Sequence, residues 1–79
     1  MSKMKDLVEY IATSMVNDPE AVQVTERGGR HATNLHLTVA QADMGRVIGR
    51  QGRMANAIRA LLHVVAVKEG NRVSLDIGD

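Results

Sequence analysis

Residues 45–53 read Gly45-Arg46-Val47-Ile48-Gly49-Arg50-Gln51-Gly52-Arg53. This stretch holds three glycines and three arginines, and it contains no acidic residue. Asp43 is a candidate N-cap for a short helix from Met44 to Ile48, and a longer helix is expected from Arg53 to about Val67. The sequence therefore predicts two helices joined by a four-residue turn that has a glycine at each end.

The predicted turn has the chemistry of an anion site. Glycine lacks a side chain, so another backbone can come close, and it tolerates a positive φ. The first amides of the second helix are unpaired donors with the positive end of the helix dipole behind them, which suits a phosphate. Arg50 and Gln51 occupy the tip of the turn, and Arg46 and Arg53 flank it. These residue types in this order indicate a site that holds a phosphodiester backbone.

Three other interpretations of the glycines have to be weighed. A dinucleotide-binding loop requires G-x-G-x-x-G directly after a strand and a long βαβ unit beyond it, whereas here the spacing differs and only one strand remains. Gly45 and Gly49 also form G-x-x-x-G, but no apolar stretch of membrane-spanning length surrounds them. The third interpretation is a helix-turn-helix corner whose glycines serve only packing, and it stays open beside nucleic-acid binding.

The turn also matches a known signature. Ile48-Gly49-Arg50-Gln51-Gly52 fits the I-G-x-x-G pattern of the KH domain, and no other pair of glycines in the chain has this spacing. In so short a chain, the stretch from Gly45 to Arg53 resembles the small stand-alone KH proteins of bacteria, the KhpA (YlqC) family. The resemblance implies a loop that grips about four nucleotides of single-stranded RNA or DNA. The residues that it implies for RNA binding are Arg46, Ile48, Gly49, Arg50, Gln51, Gly52 and Arg53.

Length and composition narrow the class of protein. A chain of 79 residues is expected to form one domain, from residue 1 to residue 79. It contains no cysteine, which excludes a disulfide framework and a thiolate metal site. The first residues lack the apolar run and the cleavage site of a secretory signal. A cytoplasmic protein is therefore expected, without a membrane partner.

The charge is small in sum but uneven along the chain. A net charge of +1 is too low for a general binder of polyanions. Residues 1–26 have a balance of −3, whereas residues 44–60 have a balance of +4. The four positive residues of the second stretch are Arg46, Arg50, Arg53 and Arg59. A solvated helix face would carry a similar run of arginines, so the charge agrees with nucleic-acid binding without deciding for it.

Apolar spacing predicts the remaining elements. A helical stripe runs from about Lys3 to Val16 and ends at Asn17-Asp18-Pro19, because the residue before a proline avoids the α region. Alternating apolar and polar residues predict three strands, at 20–26, 33–39 and 72–77. Between the first two strands, Arg27-Gly28-Gly29-Arg30 supplies a glycine pair for a hairpin turn.

The order helix, strand, strand, helix, helix, strand predicts an α+β fold. The first two strands should pair antiparallel across their turn, and the strands on either side of the two-helix crossover should run parallel through a right-handed connection. Three helices would then cover one face of a three-stranded mixed sheet. This order matches the type II variant of the KH fold, so the resemblance covers essentially the whole chain.

The longer helix is apolar over about twice the arc of roughly 100° that packing on one sheet requires. Its polar strip consists of Asn56, Arg59 and His63, and His63 is expected to be solvated. The surplus apolar residues Ala57, Leu61 and Val64 could cover the nucleic-acid groove, face the N-terminal helix or meet another subunit. The resemblance implies the last of these, a homodimer through this helix, and pairing with a larger KH-containing partner of the KhpB, Jag or EloR type.

Catalysis is not expected, and neither a cofactor nor a metal is implied. No nucleophile motif and no pair of closely spaced carboxylates is present. His31, His36 and His63 fall on a turn, a strand and a helix, without the i, i+4 pairing of a helical metal site.

Sequence-tolerant binding of single-stranded RNA, with the backbone gripped by the loop between the two helices, is the leading interpretation. The bases are expected in a shallow groove between the short helix and the strand at 33–39, lined by apolar side chains near Val47, Ile48 and Leu37. Stacking on aromatic rings can contribute little, since the chain has no Phe or Trp and a single Tyr. The resemblance implies post-transcriptional regulation or RNA chaperone activity, connected in some bacteria with cell shape and division.

The alternative is a KH-fold scaffold or dimerisation adaptor that works mainly through protein contacts. The surplus apolar face favours it, whereas the intact basic loop favours RNA. Because KH folds also occur in proteins that bind ribosomal RNA, ribosome-associated work is a variant of the leading interpretation.

Overall fold

A computed structural model describes residues 3–29 and 31–78 of the chain. The three α-helices are α1 (Lys3–Met15), α2 (Met44–Ile48) and α3 (Arg53–Lys68). The three strands are β1 (Gln23–Gly28), β2 (Ala32–Thr38) and β3 (Arg72–Ile77). Within these residues the order is the predicted α-β-β-α-α-β, and the bounds of α2 and β3 agree with the prediction residue for residue.

The sheet has the predicted mixed topology. β2 lies in the middle, with β1 antiparallel on one side and β3 parallel on the other. In this register Leu35 lies opposite Glu26 of β1 and Leu75 of β3. The α+β class and the three-stranded sheet are therefore confirmed, and β1 and β3 are both edge strands.

The helices cover one face of the sheet. Along β2, Leu35 and Leu37 are buried, whereas the alternating residues Asn34 and His36 point to the other, open face. Two helices supply most of the facing layer, through Met4, Val8 and Ala12 of α1 and through Ala55, Ile58, Leu62 and Ala66 of α3. Full burial of each large aliphatic side chain contributes about 1.5–3 kcal/mol, so this layer fixes the position of α3 and of the loop at its start.

The first strand starts later than its sequence pattern predicts. Pro19 begins a 3₁₀ turn that ends at Ala21, so the extended segment opens at Gln23. The predicted glycine turn is also shifted: Gly28 is the last residue of β1, and Arg30 lies outside the described residues. A Cβ at Gly28 would collide with the carbonyl oxygen of Ala32, so close strand contact requires this glycine.

The prediction that Asp43 caps α2 is wrong. Its side chain makes no cap hydrogen bond, because a 3₁₀ turn at Gln41–Asp43 leads directly into α2 and leaves Asp43 in helical conformation (φ −98°, ψ −4°). The carboxylate instead accepts N–H bonds from Asn17 and Asp18, each at 3.1 Å, and is only 2% exposed. Asp43 thus ties the connection between α1 and β1 to the start of α2.

Across residues 3–29 and 31–78, no helix has the length and apolar character that a membrane span requires.

Candidate nucleic-acid interface

The loop from Gly49 to Gly52 has a backbone that its glycines make possible. Gly49 has φ 77° and ψ 170°, Gln51 has φ 57° and ψ 26°, and Gly52 has φ 76° and ψ 12°. The conformation of Gly49 is essentially restricted to glycine, whereas the left-handed region of the other two is open to Gln at some cost. Three positive φ values within four residues turn the chain sharply between α2 and α3.

Gly49 and Gly52 differ in what surrounds them. A Cβ at Gly49 would lie 2.7 Å from Cβ of Met54 and 2.8 Å from its amide nitrogen. At Gly52 the nearest atom would be Nδ2 of Asn56, 4.0 Å away. Gly49 is therefore required by the packing of the turn on α3, while Gly52 is required by its backbone conformation alone. A role of both glycines only in packing is thus disfavoured.

The loop presents backbone donors at its tip. The amide of Gly49 donates to the Gly45 carbonyl at 2.9 Å, and that of Gly52 donates to the Gly49 carbonyl at 3.1 Å. Because Gly49 has a positive φ, the i→i−4 ladder of α2 cannot continue through it. The amides of Arg50 and Gln51 follow this break and have no backbone acceptor among the described residues, so they can donate to an anion.

The four arginines expected to make this region positive have different surroundings. Arg50 and Arg53 are exposed, and neither is ion-paired with a described carboxylate. Arg46 lies with its Nε 3.5 Å from Oδ1 of Asp43, so its charge is partly balanced. Arg59 is exposed but engaged, since its Nε and Nη2 donate to the Leu75 carbonyl at 3.1 and 3.0 Å.

Two of the three residues expected to line a base groove between α2 and β2 do not reach the surface. Val47 and Leu37 are completely buried, because the helical layer closes over the central strand. Of the three apolar residues predicted to line the groove, only Ile48 reaches the surface, where it is 37% exposed.

A different groove, of about 490 Å³, lies between α3 and the edge strand β3. Leu62, Val73 and Leu75 form its apolar floor, and Arg59 and His63 stand on its helical side. The amides of Arg72 and Gly78 donate to β2, so by alternation Val73, Leu75 and Ile77 turn their backbone groups toward the groove. This groove therefore combines apolar surface with hydrogen-bonding groups of an unpaired strand edge.

The groove lies along the same helix, α3, that begins at the loop. A turn after Lys68 reverses the chain into Arg72, so α3 and β3 run in opposite directions and the end of β3 lies beside the start of α3. Asn56, whose Oδ1 accepts a bond from Nη1 of Arg59 at 3.4 Å, lies one helical turn after Gly52. The polar strip of α3 thus leads from the loop into the groove.

Sequence reasoning identified the residues of this strip but not their place in a groove. Periodicity separated Asn56, Arg59 and His63 from the apolar faces of α3, which the structure confirms. The signal that could have located the groove was the predicted sheet order, since β3 at an edge leaves alternate backbone groups unpaired.

The surplus apolar face of α3 is exposed. Leu61, Val64 and Val67 are 52%, 55% and 62% exposed, and Ala57 is exposed beside them. These four residues, here called the α3 apolar strip, neither face the N-terminal helix nor cover a groove. Contact with another subunit, the third possibility that the sequence left open, stays a prediction.

The histidines do not form a metal site. Within the described part of the chain, no three His, Cys, Asp or Glu side chains are grouped so that they could hold a metal ion. His36 lines a shallow concavity of about 360 Å³ on the open face of the sheet, whereas His63 lies at the α3–β3 groove.

Two helices joined by a glycine-bounded loop, between parallel strands and after an additional helix and strand, define a KH domain of type II. The chain belongs to the KhpA/KhpB family of KH domains, whose sequence model matches residues 5–77. This family consists of KH-domain proteins and is not an enzyme family.

Curated relatives match over almost their whole length. The RNA-binding protein KhpA of Clostridium acetobutylicum is 51% identical over 74 residues, which cover 94% of this chain and 99% of that protein. The protein of the same name from Halalkalibacterium halodurans is 46% identical and is covered completely, with 96% of this chain aligned. That of Aquifex aeolicus is 43% identical, over 98% of each chain.

Proposed function

We propose that this protein binds single-stranded RNA by holding the RNA backbone at the Gly49–Gly52 loop. The observation that carries the proposal is the loop itself, where two glycines place free amides and two unpaired arginines on one exposed turn. The names of the relatives, RNA-binding proteins KhpA, support the same ligand.

The phosphates are bound at the loop. The amides of Arg50 and Gln51 and the side chain of Gln51 donate hydrogen bonds, and Arg50 and Arg53 supply charge from either end of the turn. Arg46 contributes from α2, with less effect because Asp43 partly neutralises it. Gly49, Gly52 and the exposed Ile48 let the sugar–phosphate chain approach the backbone closely.

The bases then lie in the α3–β3 groove. Its apolar floor suits base faces, and the backbone groups of Val73 and the amide of Leu75 can meet base edges, whereas the Leu75 carbonyl is bonded to Arg59. Arg59, the first residue of α3 that lines the groove, lies two helical turns or about 10 Å after Gly52, a distance that a nucleotide strand held at the loop can span. About four nucleotides are accommodated in this way.

The decisive variant replaces both residues at the tip, Arg50→Asp with Gln51→Asp. It places two negative charges where phosphates bind and should abolish binding in a gel-shift titration while the circular dichroism spectrum stays unchanged. A matched control is Arg27→Asp with Gln23→Asp, which makes the same chemical changes at exposed positions of β1. Unchanged RNA affinity in the loop variant would remove the proposal.

The second candidate function is a protein-interaction scaffold, and the α3 apolar strip is the observation that favours it. An exposed apolar surface of this kind marks a contact site. We assign it to a homodimer, or to a heterodimer with a larger KH-containing partner of the KhpB type. The two functions are compatible, since pairing two weak RNA sites raises avidity.

The purified protein distinguishes the two candidate functions by whether it carries nucleic acid. An RNA binder carries nucleic acid, recognised by its absorbance at low salt, and releases it at high salt. A scaffold without RNA affinity shows no such absorbance. As an RNA-binding protein with a KH domain, it would act in the cytoplasm in post-transcriptional regulation.

A further inference from the structure

The guanidinium of Arg59 occupies the middle of the α3–β3 groove. Two of its N–H groups, on Nε and Nη2, converge on the Leu75 carbonyl oxygen, and a third, on Nη1, reaches Oδ1 of Asn56. Leu75 is the central residue among those whose backbone faces the open edge of β3. Arg59 therefore covers the carbonyl acceptor that a base in the middle of this groove would otherwise meet.

This contact reverses the hydrogen-bonding character of the groove centre. An arginine has five N–H donors in a fixed planar arrangement and no acceptor. Three of them are engaged in the structure, which leaves one N–H on each terminal nitrogen. Where the bare strand edge would offer an acceptor, the groove offers two neighbouring donors.

We infer that Arg59 is a specificity-determining residue that selects, at one nucleotide of the bound strand, a base with two adjacent acceptors. Guanine has such a pair in O6 and N7, and a paired arginine is its commonest partner. Cytosine has a pair in O2 and N3. Adenine and uracil alternate donors with acceptors along their edges and offer no such pair. The inference rests on the proposed RNA function and adds to it a preference at one position.

The test measures the affinity of the whole protein for eight-nucleotide RNAs by fluorescence anisotropy. The reference strand is all uracil, and the other three carry one guanine, cytosine or adenine at the fourth position. Guanine and cytosine should each tighten binding about tenfold, within the range of one bidentate contact. Adenine should give no gain.

Two variants distinguish the effect of the planar donor pair of Arg59 from the effect of its positive charge. Arg59→Lys keeps the positive charge but lacks the planar pair of donors, so the gain in affinity that guanine gives over the all-uracil strand should fall from about tenfold to none in this variant. Arg59→Met also uncovers the Leu75 carbonyl, so adenine, with its exocyclic amino donor, should gain relative to uracil. Thermal unfolding of both variants checks that the fold is kept.

Equal affinity of the wild-type protein for all four strands would overturn the inference without any variant. Retention of the guanine preference by Arg59→Lys would do the same. The proposed function fails separately, if the double substitution at the loop tip leaves RNA binding unchanged. If the loop variant loses RNA binding but the base preference is the same with and without Arg59, only the role of Arg59 is refuted.

Discussion

Asp43 and Arg46 form an ion pair in which only one partner can move. The carboxylate of Asp43 is buried and held by the amides of Asn17 and Asp18, whereas Arg46 is on the surface with its Nε 3.5 Å from Oδ1. Asp43 therefore serves the fold first, through two backbone bonds, and moderates the charge of the loop region second.

The two roles predict unequal effects of substitution at the two positions. Asp43→Ala leaves two part-buried amides without an acceptor and should lower the free energy of unfolding by about 3 kcal/mol. Arg46→Gln removes only the exposed side of the pair and should cost about 0–1 kcal/mol. Urea unfolding of both variants measures the difference. Equal losses would mean that the ion pair, and not the backbone bonds, holds this region.

Replacing Gly45 and Gly49 by alanine should change the stability of the fold in opposite directions. Gly49→Ala forces a side chain into a backbone region reserved for glycine and against Met54, and it should destabilise the fold by about 2–3 kcal/mol. Gly45→Ala places a methyl group in open space inside α2 and should stabilise the fold by about 0.5–1 kcal/mol. Thermal unfolding gives both values. A stable Gly49→Ala protein would show that the turn can relax.

RNA binding should weaken modestly as the salt concentration rises, to an extent set by the number of phosphate contacts. Three arginines, Arg46, Arg50 and Arg53, at about −0.7 per phosphate contact on a single strand, give a slope near −2 for log affinity against log salt concentration. Arg50→Gln should reduce the slope to about −1.4 by removing one contact. Anisotropy titrations over a range of potassium chloride concentrations measure both slopes. A wild-type slope near zero would argue against phosphate contacts.

Self-association through the α3 apolar strip should be lost when a charge is placed at its centre. Leu61→Glu buries a carboxylate in the proposed interface, which is strongly unfavourable without a partner. Sedimentation should show a dimer for the wild-type protein and a monomer for the variant. Tyr10→Glu, which alters an exposed aromatic residue on α1 outside the strip, is the control and should stay dimeric. A dimer that survives Leu61→Glu has its interface elsewhere.

Local patterns predicted most of the fold because each element carries its own signal. β3 alternates cleanly and α2 is bounded by a glycine, so their limits are given by nearby residues. At β1 the prediction was wrong by up to three residues, because Pro19 starts a 3₁₀ turn before the chain extends. A proline marks a break reliably but does not say which turn follows it.

The candidate site was predictable in its residue types but not in its contacts. The glycines and arginines around Gly49 are adjacent in sequence, so their grouping could be read directly. The bond from Arg59 to Leu75 joins residues 16 positions apart, and Asp43 finds its partners 25 and 26 positions away. Contacts of this kind depend on how the helices sit on the sheet, which no local pattern contains.

The Arg59–Leu75 contact also bears on how the folded protein avoids aggregation. A fibre that grows by edge-to-edge pairing of sheets needs two accessible edge strands on every molecule. Because the guanidinium of Arg59 is bonded to the Leu75 carbonyl, a strand of another molecule cannot pair along the whole of β3 without displacing this arginine. Edge-to-edge growth from the folded protein is therefore disfavoured at β3 relative to β1.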